Sequence, residues 1–286
     1  MNPAPVVSIL TVNLNNAPGL QQTVDSVLRQ TYTTYEFIVI DGGSTDGSVA
    51  FLQQHTDRIN RWTSEPDRGI YHAMNKGIRR ATGTYCLFLN SGDWLIDEHV
   101  LERCFADNHT ADLLVGGCHI LEQGNRIHTY IPEQELTFRS FFGATIPHQS
   151  VFIKRDLFGE LGVYDETYRI HADYEFWIRA VILNTCSVAP LNCVVANYNL
   201  EGISGQAAYT EQSRGEIQRI QRQALPKRVL ADYEKWQAQA VELQVWEWIK
   251  SKRMLHAIIQ FVFRSAVALV ALKRQLIPAK VTKQRV

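Results

Sequence analysis

The stretch Val39-Ile40-Asp41-Gly42-Gly43-Ser44-Thr45-Asp46-Gly47-Ser48 closes one apolar run and opens a helix-compatible one. An acid ending a strand, followed by a glycine-rich turn carrying Ser, Thr and Asp, is chemically suited to hold a nucleoside. The carboxylate accepts from a base or ribose, and the glycines let backbone approach a ligand closely. A lone turn of this kind says little. Here Ser64-Glu65-Pro66-Asp67-Arg68-Gly69-Ile70-Tyr71, Leu89-Asn90-Ser91-Gly92-Asp93 and His171-Ala172-Asp173-Tyr174 follow it at orderly spacing.

Outward from that stretch, short apolar runs alternate with helical patterns. Val6 to Val12, Phe37 to Ile40, Ile59 to Thr63 and Tyr85 to Leu89 read as strands. Pro18 to Leu28, Ser48 to Gln54 and Ile70 to Ala81 read as helices between them. Such alternation predicts an α/β domain with a central, mostly parallel sheet flanked by helices. Ligands of such sheets bind beyond the carboxyl ends of the strands, where Asp41, Glu65 or Asp67, and Asp93 all fall. Beyond Asp93 the pattern loosens. Leu113 to Val115, His119 to Leu121, Ile127 to Ile131 and Val194 to Tyr198 read as strands, with a hairpin around Gly124-Asn125. Asp173 to Leu183 reads as a helix, and Gln206 to Gln223 as a surface helix.

At 286 residues the chain is long enough for one large domain and an appendage. Its formal net charge of zero hides an asymmetry: from Lys250 onward there are nine Lys/Arg and no Asp/Glu. An acidic body and a basic tail are therefore expected, the tail suiting an anionic surface. The tail's apolar run from Leu255 to Leu272 approaches the roughly 20 residues that cross a bilayer, but Arg264 near its middle argues against a span. Flanking Lys250, Lys252, Arg253, Lys273 and Arg274 suit a helix lying in a membrane interface. Cys86, Cys104, Cys118, Cys186 and Cys193 form no CxxC pair and are expected as buried, reduced thiols. Met1 to Pro5 has no basic region typical of a signal peptide, so cytosolic exposure is expected.

The four segments together indicate an enzyme that uses an activated sugar. At these residues, with Ala73-Met74-Asn75-Lys76-Gly77-Ile78 added, the chain resembles the family-2 inverting glycosyltransferases of GT-A fold, in particular bacterial polysaccharide enzymes of the colanic-acid type. The resemblance covers about residues 6 to 205. It implies a catalytic domain over 1–205, with a nucleotide-binding half (1–95) and an acceptor half (96–205). Residues 206–286 would form a C-terminal helical extension, with a membrane-associating segment at about 250–276.

Site residues follow from the same resemblance. Thr11 and Asn13 match positions bordering the nucleoside, Asp41 the carboxylate on nucleobase or ribose, and Asp67 another nucleotide-contacting acid. Asn90 and Ser91 fall on the donor side. Asp93 matches the last acid of a metal-binding signature whose preceding acids are here Asn90, Ser91 and Gly92. A single carboxylate would then hold Mn²⁺ or Mg²⁺, which keeps waters and takes ligands from substrate phosphates. Asp173 matches the catalytic base; its rival Glu175 would point about 200° away on a helix. His148 matches a His-Gln pair near acceptor or diphosphate, and Ser204 a late loop over the donor. His72 is given no role, and Arg214 reads as a solvated helix face.

The implied partners are a UDP- or GDP-linked sugar, a glycan or lipid-linked acceptor of bacterial surface polysaccharide synthesis, and the cytosolic membrane face. A homo-oligomer is compatible with the sequence; nucleic acid is disfavoured, since the basic residues flank an apolar helix. A nucleotidyltransferase would carry a basic glycine-rich loop where this chain has Asn13 to Ala17, and no GxGxxG follows the first strand for a dinucleotide enzyme. The rival of a different class is a non-catalytic nucleotide-sugar-binding or scaffold protein, discriminated by whether Asp173 is needed for transfer.

Overall fold

The computed structural model describes residues 4–202 and 210–276. The chain divides into two compact units, residues 1–226 and 227–286.

In the first unit, strands Val7–Asn13 (β1), Tyr35–Asp41 (β2) and Arg61–Ser64 (β3) alternate with helices Ala17–Leu28 (α1), Ser48–Gln54 (α2) and Ile70–Arg80 (α3), ending in strand Tyr85–Phe88 (β4). β1 pairs in parallel with β2 and β4, and β2 with β3, which is the expected parallel half. Every residue of β1 is buried, as are six of the seven of β2, because helices cover both faces of the sheet. That burial explains their continuous apolar runs in place of an alternating pattern. Ile9, Leu10, Phe37, Ile38, Leu87 and Phe88 are essentially inaccessible. Each such side chain contributes about 1.5–3 kcal/mol by leaving water.

The second half is mixed. It runs through Trp94–Leu95 (β5), Val100–Cys104 (α4), Leu113–Glu122 (β6), Asn125–Tyr130 (β7), Phe138–Phe141 (α5), Val151–Lys154 (β8), Leu157–Glu160 (α6), Ala172–Trp177 (α7) and Val188–Asn199 (β9). The sheet order is β3-β2-β1-β4-β8-β6-β9-β5, with β7 paired to β6. β8 joins β4 and β6 in antiparallel fashion, whereas β6 and β9 run parallel. The two strands expected at Leu113 to Val115 and His119 to Leu121 are one strand. Gly116 and Gly117 lie within it, where the pairing with β9 shifts register. A Cβ on Gly116 would stand 2.4 Å from Cγ2 of the buried Val195 and 3.2 Å from the Cys193 carbonyl. The glycine is there because β9 approaches too closely for any side chain. The hairpin turn sits at Gln123-Gly124, one residue earlier than expected, with both residues at positive φ.

α7 runs into a π-helical turn over Ile178–Leu183, within the helix expected from Asp173 to Leu183. Helix Thr210–Ala224 (α8) lies beyond the expected catalytic domain of 1–205, and the compact unit that holds it continues to Pro226. The Glu216 carboxylate of α8 accepts from the backbone N–H groups of Arg169, Ile170 and His171, and Gln221 donates to the Tyr174 hydroxyl. Both are buried, so α8 is part of the body. Of the five free thiols, Cys86, Cys104 and Cys118 are buried as expected, while Cys186 and Cys193 are half-buried.

The second unit is a pair of helices, Lys227–Ser251 (α9) and Arg253–Leu276 (α10). No helix among the described residues is long and apolar enough to cross a membrane.

Substituting Gly116→Ala forces a carbon into the β6–β9 contact. It is expected to lower stability by about 1–3 kcal/mol, read as a fall in urea midpoint at unchanged slope.

Candidate active site

β1, β2 and β3 end in register, so Asn13 lies opposite Asp41 and Asp41 opposite Ser64. Asp41 is fully buried, and its carboxylate is surrounded by donors. Oδ1 accepts from Asn13 Nδ2 at 2.7 Å and from Ser44 Oγ at 2.6 Å. Oδ2 accepts from the backbone N–H of Gly43 at 3.1 Å and of Ser44 at 2.9 Å, and from Ser64 Oγ at 2.6 Å. The turn that brings those N–H groups round needs Gly43 at φ +86°. Burial pushes the carboxyl up, but the Ser44, Ser64 and Asn13 hydrogen bonds outweigh it and hold the group below its ordinary value.

The resemblance gave Asp41 a role at the nucleobase or ribose; here its carboxylate is engaged by donors of the chain itself and organises the edge formed by the strand ends. The acceptor left over is Asn13 Oδ1, which is buried and has no hydrogen-bond partner. Asp67 is the half-exposed acid beside it: Oδ1 accepts from the Gly69 N–H at 2.9 Å, and Oδ2 fills the space a side chain at Gly42 would take. Glu65, the other acid of that loop, is tied to Lys76 at 3.0 Å. Thr11, expected to border the nucleoside, is buried and donates to the Leu89 carbonyl at 2.7 Å, joining β1 to the end of β4.

The segment after β4 is held from both sides. Asn16, the N-cap of α1, donates to the Ser91 carbonyl at 3.0 Å, and Thr23 donates to the Asp93 carbonyl at 2.7 Å. Asn90 Nδ2 lies 3.1 Å from His148 Nε2, and His148 Nδ1 lies 3.1 Å from Asp173 Oδ2. With the Asn90 amide as donor, Nε2 accepts and the ring proton sits on Nδ1, donated to Asp173. Tyr71 Oη stands 3.0 Å from Asp173 Oδ1 and donates at 2.5 Å to the Ile170 carbonyl. Asp173 thus sits on α7 with a single residue of imidazole between it and the end of β4. Burial pushes its carboxyl up, but the hydrogen bonds from His148 and from the Tyr174 N–H outweigh it and carry it below its ordinary value. It stays ionised in a site from which most water is excluded. Glu175 is removed as a rival, since Arg179 grips it from Nε at 3.0 Å and Nη2 at 2.7 Å.

Asp93, the single carboxylate expected to hold a metal ion, is engaged by donors of the chain itself. It is buried, Oδ2 accepts from Gln149 Nε2 at 3.0 Å, and Oδ1 accepts from the Asn199 N–H at 2.9 Å. Burial pushes its carboxyl up to about 6. Among the described residues no three His, Cys, Asp or Glu side chains are grouped so as to hold a metal ion. These donors do not fit a divalent cation on Asp93, and no step below is routed through one. Ser204 lies outside the described residues. Arg214 is exposed, as expected, and His72 accepts from the Arg68 N–H near the start of α3.

Sequence reasoning passed over Tyr71, Gln149, Ser44 and Ser64. Each stands inside or beside a quoted motif, but nothing in the spacing says which acid it serves. Glu216 gave no sequence signal.

The sequence pattern of the family described as glycosyl transferase family 2 matches residues 8–156. An uncharacterized glycosyltransferase of Mycobacterium tuberculosis (strain CDC 1551) is 36% identical over 210 residues, covering 71% of this chain and 78% of the relative. A PGL/p-HBAD biosynthesis glycosyltransferase of Mycobacterium bovis BCG is 35% identical over 201 residues, covering 68% and 77%. Among solved structures, Staphylococcus aureus TarS superposes with a TM-score of 0.56 at 17% identity, over 68% of this chain and 36% of TarS. The chain therefore spans about a third of TarS, and the likeness is one of fold. The chain belongs to glycosyl transferase family 2, and its catalytic unit has the GT-A fold.

The Asp41 cage yields a pH prediction. A carboxyl depressed in the folded state stabilises fully above its unfolded value near 3.8, and the stabilisation is lost as pH falls through the lower folded value. Asp41→Asn is expected to cost about 2–3 kcal/mol at neutral pH. That difference should shrink below the ordinary carboxylate range in chemical denaturation series; a constant difference would contradict an ionised Asp41.

Proposed function

We propose that this family-2 glycosyltransferase moves a sugar, with inversion, from a nucleoside-diphosphate donor to a hydroxyl of a glycan or lipid-linked glycan in bacterial surface polysaccharide synthesis. The observation that carries the reading is the buried, ionised Asp173, held through His148 to Asn90 at the carboxyl end of β4. An acceptor hydroxyl beside Asp173 loses its proton to the carboxylate as its oxygen bonds the anomeric carbon. The bond from that carbon to the diphosphate oxygen breaks on the opposite face, and the nucleotide leaves with the electron pair. His148 keeps the carboxylate aimed and charged, and the Tyr174 N–H holds its other oxygen. Asn90 and Ser91 border the donor from β4.

The nucleotide half of the reading rests on Asn13 and Asp67. A buried acceptor without a donor suits a ring N–H beside a carbonyl, which uracil and guanine both present, in keeping with a UDP- or GDP-linked donor. TarS residues 1–349 have been solved with UDP and with UDP-GlcNAc, in keeping with a UDP-linked donor. A peripheral position at the cytosolic face of the membrane belongs to the same reading and is supported by the basic tail. The family resemblance also implies Mn²⁺ or Mg²⁺, against which the engagement of Asp93 weighs.

Asp173→Asn is expected to lower transfer about 10²–10⁴-fold while thermal stabilisation by the nucleotide persists. Equal transfer by that variant would remove Asp173 as the base, and nucleotide binding without transfer by the unaltered protein would favour a scaffold role. A second expectation concerns metal. Either UDP or GDP should raise the melting temperature with EDTA present as well as with Mn²⁺ added. A rise seen only with Mn²⁺ would return Asp93 to the role of ligand.

A further inference from the structure

α10 carries an apolar face that its own unit leaves uncovered. Met254 is 81% exposed, Ile258 57%, Phe261 73%, Val262 59% and Leu269 68%. At 100° per residue these five fall within one arc of about 100° along the helix, while two further exposed apolar residues, Phe263 and Val267, lie on its other side. His256, Gln260 and Arg264 recur every fourth residue on a separate stripe, and the His256 ring packs against Trp246 of α9 at 5.9 Å. Apolar patches of this kind on a soluble protein mark an interaction site.

We propose that this face of α10 docks in the plane of an anionic lipid bilayer. Charge decides the occupant. No acid follows Glu247, while nine Lys/Arg lie from Lys250 to the end, three of them (Lys250, Lys252, Arg253) at the turn into α10. A second copy seated symmetrically on the face would bring the same acid-free, positive segment against itself. Anionic headgroups pair with that charge, and the acyl boundary takes up Met254, Ile258, Phe261, Val262 and Leu269. The helix lies flat instead of spanning: its apolar length is too short, and Arg264 sits amid it with a stem long enough to reach the headgroups. The docking is independent of the transfer chemistry.

The test sediments the full chain with vesicles of phosphatidylcholine containing phosphatidylglycerol, and with phosphatidylcholine alone. Three cations at the surface should make binding to the anionic vesicles on the order of 100-fold tighter, and added salt should weaken it. Phe261→Glu with Leu269→Glu, and separately Lys252→Glu with Arg253→Glu, should each lose at least about tenfold, with the melting temperature of the protein unchanged. Equal binding to neutral vesicles would overturn the anionic choice, and undiminished binding by the Phe261/Leu269 pair would overturn the face. Absence of binding to either vesicle would overturn the proposal outright; a dimer in sedimentation equilibrium that the same pair dissociates would assign the face to a second copy.

Discussion

A carboxylate buried at the end of a strand is costly unless donors replace the water it lost, and the burial of Asp41 sets this condition for the whole ligand-facing edge. Its donors come from β1 (Asn13), from the loop after β2 (Gly43 and Ser44) and from β3 (Ser64). Any drift of a strand end or of the glycine turn leaves a buried charge short of a partner. The three ends and the turn are thereby locked to within hydrogen-bond tolerance. Asn13 Oδ1 and Asp67 acquire fixed positions because the cage beneath them cannot relax.

A second constraint joins the halves of the unit. His148 and Gln149 are neighbours in one 3-10 turn before β8, yet they serve different acids: His148 holds Asp173 and Gln149 holds Asp93. The turn thus couples α7 to the segment after β4, while Asn199 at the end of β9 closes the arrangement from the far side. Behind α7, Glu216 fixes the backbone from Arg169 to His171. Asp173, the proposed base, therefore rests on a support from three elements distant in sequence, which is what preorganised proton transfer requires.

Much of this was legible in the sequence, and the parts that were not share a cause. The parallel half reads cleanly because buried strands and amphipathic helices imprint different periods. β5 was missed because two residues are too short for any period. β6 was split because glycines that read as a break are instead a concession to β9. Asp173 and its partner His148 both lie in segments that the sequence singled out, whereas the donors around Asp41 and Asp93 and the bond made by Thr11 come from residues that spacing does not connect.

The sequence alone determined the alternation that builds the sheet, the family motifs, the acids at the strand ends, and the charge division between body and tail. These are properties of residue type and spacing, which no folding is needed to express. Tertiary structure alone decided what each acid does. A carboxylate's role depends on how many donors reach it and how much water remains, and those donors arrive from residues up to 106 positions away, as with Asp93 and Asn199. Asp41 is saturated, Asp67 is half-open, Asp93 is buried and Asp173 is held ionised by an imidazole: four identical side chains, separated by their surroundings.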